Sequence, residues 1–137
     1  MEAGASPCGV SAISLSALSG DLYVLAVEAT VVRNFSREIS GGGYPNHYDI
    51  SVKGVDFCNV TVGYTHPGHD DLVHVEAWLP LEADDWNERI QVIGGAGWGS
   101  GRFDISYAGM AGAVAEWVFC FLLEIQSLPS GRKIYGN

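Results

Sequence analysis

Five of the chain's 18 glycines fall within Gly94-Gly-Ala-Gly-Trp-Gly-Ser-Gly101, directly after the apolar run Ile90-Gln-Val-Ile93. A glycine loop following a strand has three familiar chemical uses. Dinucleotide binding wants G-x-G-x-x-G, and no frame of glycines 94, 95, 97, 99 and 101 supplies it. A nucleotide P-loop wants Gly-Lys-Ser/Thr, and the stretch has no lysine. The third use is an oxyanion loop, whose backbone N–H groups come within about 3 Å of the oxygen that gains charge when an ester is attacked. Glycine suits that task because the backbone must approach closely and bend sharply. The alternative is a plain glycine-rich loop with Trp98 packed on it, and spacing alone leaves both open.

Two other clusters invite chemistry. His66, His69 and His74 with Asp70 and Asp71 gather enough donors for a zinc or copper ion. However, His66-Pro-Gly-His69 is a turn rather than an i, i+4 helix face, and His74 is expected on a solvated strand face with Glu76, so no metal site is expected. Asp84-Asp85 lacks the ligand spacing of a calcium loop and reads as surface charge. Trp78 and Trp98 are expected to pack, while Trp86 could pack or bind. Asn34-Phe-Ser36 and Asn59-Val-Thr61 are N-glycosylation sequons. With three cysteines, at most one intramolecular bridge can form.

The elements that position these groups follow from periodicity. Leu22–Val32 is β-branched and apolar and predicts a strand. Ser40-Gly-Gly-Gly-Tyr-Pro-Asn46 is a loop. Val55–Tyr64 places Cys58, Val60, Val62 and Tyr64 on one face, and Leu72–Leu79 places Val73, Val75, Ala77 and Leu79 on one face. With the Pro67-Gly68 turn between them, these two segments predict an antiparallel hairpin. Ile90–Ile93 is a third short strand. Asp104 or Ser106 could cap a helix over Tyr107–Glu116, whose many Ala and Gly residues permit close packing.

Composition narrows the partners. The net charge is −9, and between Lys53 and Arg89 there are eight acids and no basic side chain, which argues against nucleic acid. The most apolar run, Trp117–Leu123, is seven residues bounded by Glu116 and Glu124, against the ~20 of a membrane-spanning helix. The start, Met1-Glu-Ala-Gly-Ala-Ser-Pro-Cys8, lacks the basic and hydrophobic regions of a signal peptide.

Phe57-Cys-Asn-Val-Thr-Val-Gly-Tyr-Thr-His-Pro-Gly68, Val73-His-Val-Glu-Ala-Trp-Leu-Pro80, Trp86-Asn-Glu-Arg-Ile-Gln91, Gly94-Gly-Ala-Gly-Trp98 and Tyr107–Glu116 together resemble fungal enzymes of the tannase and feruloyl esterase family. The resemblance covers roughly 110 residues, reaching loosely back to Cys8. It implies a secreted serine esterase acting on phenolic-acid esters, and the N-terminal part of an α/β-hydrolase fold: hairpin, third strand, oxyanion loop, first helix. It implies a Cys8–Cys58 disulfide, and oxyanion donors at Gly95, Ala96 and Gly97, with Ala96 standing where the family commonly has glycine. It implies no cofactor in this chain, although some members bind calcium in a lid domain. The family's nucleophile motif, Cys-Ser-x-Gly-Gly, is absent, and no serine stands in G-x-S-x-G. The chain therefore reads as an inactive N-terminal segment, 1–116, followed by a divergent tail, 117–137. The alternative reading is a small β-rich secreted module binding a carbohydrate or aromatic ligand.

Overall fold

The computed structural model describes residues 8–12, 21–41, 48–94 and 101–127. A short 3-10 turn at Val10–Ala12 precedes β1 (Tyr23–Ile39), β2 (Ile50–Thr65), β3 (Asp71–Pro80), a second 3-10 turn at Ala83–Asp85, β4 (Ile90–Ile93), α1 (Asp104–Ala115) and β5 (Phe119–Ser127). The strands form one sheet in the order β1-β2-β3-β5-β4.

The β2–β3 hairpin matches its expectation, with Cys58 opposite Leu79 and Val62 opposite Val75. Its turn is held by the Asp71 carboxylate, which accepts from the Thr65 hydroxyl and from the His66 N–H, each at 3.0 Å. Gly68 sits there at φ +78°, a conformation glycine adopts without a steric penalty.

The expectation of the N-terminal part of an α/β-hydrolase is corrected by the structure. The chain is mostly β, with one α-helix among the described residues. Among the described residues three of the four strand pairings are antiparallel, and β4–β5 is parallel. The long β1–β2–β3 meander dominates, and the segment after the helix returns antiparallel to β3. That segment, Phe119–Ser127, lies in the stretch read as a divergent tail, and it is seated between β3 and β4. The helix boundary also differs. Asp104 and Ser106 lie inside α1, and Phe103 is the cap residue with no side-chain cap.

Both faces of the sheet are covered in its middle. On one, α1 buries Met110, Ala111 and Val114 against Phe57, Trp78, Cys120 and Leu122. The Phe57 and Trp78 rings stack at 4.4 Å, and Phe35 meets both edge-on at 5.4 Å. Small residues along α1 let the helix come close. A methyl at Gly112 would stand 3.3 Å from the Ile50 Cδ1. On the other face a smaller cluster gathers around Cys8, Cys58, Val60 and Leu81. Cys8 and Cys58 form a disulfide. It closes a loop of 50 residues, which the chain-entropy account values at about 4 kcal/mol.

Candidate functional site

The residues expected to carry oxyanion chemistry, Gly95, Ala96 and Gly97, lie outside the described residues. The two ends of their loop do not. At the start, β4 delivers the chain to Gly94, whose carbonyl accepts a hydrogen bond from the Ser106 hydroxyl at 3.3 Å. Ser106 is fully buried in the first turn of α1, so the helix holds the end of the strand that precedes the loop.

At the far end the chain is fixed more firmly. Gly101 has φ +101°, and a side chain there would run into the Glu124 Cβ and Cγ on β5. The next residue, Arg102, reaches Glu76 on β3 with Nε at 3.2 Å and Nη2 at 3.1 Å. Tyr107 of α1 donates its phenol to the same Glu76 oxygen at 2.8 Å and accepts from Arg102 Nε at 3.1 Å. The Trp78 indole donates to the other Glu76 oxygen at 3.1 Å. Glu76 is only 3% exposed, so its charge is balanced by three converging donor groups rather than by water.

The electrostatics follow from that packing. Burial, with Glu76 adding to it, raises the Tyr107 phenol above its ordinary range. Arg102 is held protonated more firmly still, first by its hydrogen bond to Tyr107. The third cysteine, Cys120, lies beneath this cluster. Its thiol is pushed up to about 12 by burial, which leaves it an inert core side chain.

A cleft of about 380 Å³ opens beside the start of the loop, between β4, α1 and Tyr48, with Ile50, Gln91, Gly94, Gly112 and Glu116 on its walls. A second cleft, about 420 Å³ and apolar, lies on the opposite face among Leu79, Pro80, Leu81, Trp86, Ile90 and Phe119. Trp86 is half-exposed there, with its indole N–H tied to the Arg89 carbonyl at 2.9 Å.

The histidine cluster remains spread out. His66 pairs with Asp71 at 2.5 Å and sits edge-on to His69, while His74 stands across β3 opposite Gly63 and Glu124. Among the described residues no three His, Cys, Asp or Glu side chains converge on a point that could hold a metal ion. Asn34 is exposed at an irregularity in β1, whereas Asn59 is half-buried in the middle of β2.

Glu76 was expected on a solvated face, and the structure corrects this: it is buried beneath α1. Arg102 and Tyr107 were not among the expected site residues. Parity offered one signal, because Glu76 shares its face with Trp78 two residues on. A carboxylate beside a packing tryptophan on a central strand calls for a buried partner.

Set beside known proteins, the chain is 49% identical over 51 residues to a probable feruloyl esterase of Arthroderma benhamiae. The match takes in 37% of this chain and 9% of that protein, so the chain spans less than a tenth of the relative's length. No family model matches, and no solved structure matches. At the level the match supports, the chain is feruloyl esterase-like over a short stretch.

Proposed function

We propose that this chain is a segment of a carboxylic ester hydrolase acting on phenolic-acid esters, and that its contribution to the chemistry is the glycine loop. The observation that carries the reading is the 49% identity over 51 residues with a probable feruloyl esterase. The anchoring of both ends of the loop supports it. An oxyanion donor is useful only if it is held in place before charge develops, and Ser106 at Gly94 and Glu76 at Arg102 restrain the two ends of the loop that would carry it.

In such an enzyme a serine attacks the ester carbonyl, a histidine takes its proton, and an aspartate orients the histidine. Backbone N–H groups of Gly95, Ala96 and Gly97 would meet the resulting oxyanion. The nucleophile is not among this chain's motifs, since no serine stands in G-x-S-x-G. The exposed apolar side chains Ile90, Val92, Leu123 and Ile125 on β4 and β5 also suit a segment covered by further protein. The Cys8–Cys58 disulfide is consistent with a secreted enzyme.

Methyl ferulate hydrolysis by the purified 137-residue chain tests the assignment of roles. No turnover above the uncatalysed background is expected. Turnover abolished by a serine-directed inhibitor would contradict it, because the chain would then hold its own nucleophile.

A further inference from the structure

The chain carries two sequons, and they occupy opposite situations in the sheet. Asn59 stands in the middle of β2, a strand hydrogen-bonded on both sides, with Thr30 of β1 and Trp78 of β3 as its cross-strand neighbours. It shares its face with Trp78, and its Oδ1 is shut away from solvent without a partner among the described residues. A branched, strongly hydrated glycan there would have to push the neighbouring strands aside.

Asn34 lies on β1, at one edge of the sheet, where the pairing with β2 skips between Val32 and Phe35. It takes the left-handed conformation at φ +51°, which asparagine tolerates better than most residues. The bulge is held from below, where the Asp56 carboxylate accepts the Asn34 N–H at 2.7 Å and the Arg33 guanidinium at 2.6 Å. Gly54, at φ +65°, lies beside it, and even an added methyl there would stand at an ordinary 3.5 Å from the Asn34 Oδ1. Ser36, the sequon's hydroxyl residue, is exposed as well and accepts from the Gly54 N–H at 3.1 Å. A cleft of about 560 Å³ lies open alongside, bordered by Asn34, Ser36, Lys53 and Gly54.

We propose that when this chain passes through the secretory pathway, Asn34 is the N-glycosylated residue and Asn59 is left unmodified. The Asn34 Nδ2 bonds to C1 of the sugar of a polyprenyl-pyrophosphate-linked oligosaccharide. The C1–O bond to the pyrophosphate breaks, the lipid pyrophosphate leaves, and the amide nitrogen gives up one proton to the medium. The edge position favours transfer, because β1 can open locally at Asn34 without disturbing β3 or β5. The bulge then carries the glycan into solvent, clear of the face covered by α1.

Translation of the full 137-residue chain, behind a cleavable leader, into endoplasmic-reticulum microsomes tests the proposal without depending on secretion. One downward step in apparent mass on endoglycosidase treatment is expected, and enzymatic release in heavy-oxygen water should leave its label at position 34. Asn34→Asp and Ser36→Ala should each abolish the step, and Asn59→Gln should retain it. Absence of a step in the unaltered chain, two steps, or a step lost only in Asn59→Gln would each overturn the proposal.

Discussion

Asp71 shows how much one side chain can organise. Its carboxylate gathers the His66 N–H, the His66 ring and the Thr65 hydroxyl across the β2–β3 turn. The backbone hydrogen bond from His66 is the largest cause, with the His66 side chain next, that holds this carboxyl down from 3.8 to about 2. A carboxyl depressed in the folded chain stabilises it fully above pH 3.8 and loses that contribution as the pH falls toward 2. Urea midpoints measured across this window should therefore fall more steeply for the unaltered chain than for Asp71→Asn. The two curves should converge near pH 2, and parallel curves would assign the turn's stability to other groups. Glu76 is the opposite case: a buried carboxylate whose worth lies in position. Removing Arg102 would leave that charge in the core with only the two neutral donors of Trp78 and Tyr107, the situation that makes broken buried pairs costly.

Among the elements, the glycine loop depends on its junction with β5. Gly101 is required twice over, by its φ of +101° and by the closeness of Glu124. Gly101→Ala should cost about 2 kcal/mol or more in urea denaturation, since left-handed strain and a backbone-level clash combine. Gly68→Ala, at φ +78° with open space around it, should cost only about 1 kcal/mol, from strain alone. Equal losses would mean that contact with β5 does not fix the end of the loop. Some of these elements were legible in advance. The β2–β3 hairpin follows from strict alternation around Pro67-Gly68, and Ile90–Ile93 was read with its observed bounds. The second half of β1 was not, because Arg33–Glu38 is polar and irregular, as the exposed edge and its bulges allow. The strand β5 was missed for the converse reason. A central strand covered on one face by α1 and half-covered on the other reads as a continuous apolar run, which alternation cannot identify. The same assumption, that each strand has one wet face, placed Glu76 in solvent. The core beneath α1 shows otherwise.

At the scale of the whole molecule, short-range resemblance and overall architecture carried different weights. The family likeness pointed to an ester hydrolase, and the 51-residue match to a probable feruloyl esterase agrees at that level. The fold expectation attached to it did not hold, because a three-stranded antiparallel meander and a returning β5 make the chain mostly β. The implied Cys8–Cys58 pairing is present. The proposed donors Gly95, Ala96 and Gly97 follow Gly94, held by Ser106, and precede Arg102, held by Glu76. The decisive measurement is kcat for methyl ferulate in a hybrid of the Arthroderma protein, in which residues 57–116 of this chain replace their counterpart. If Gly94–Gly101 is an oxyanion loop, the hybrid should keep its kcat within about tenfold, a change of about 1.4 kcal/mol in barrier. A folded hybrid whose kcat falls by about 10²–10³ or more, the loss that follows removal of one oxyanion donor, would contradict it.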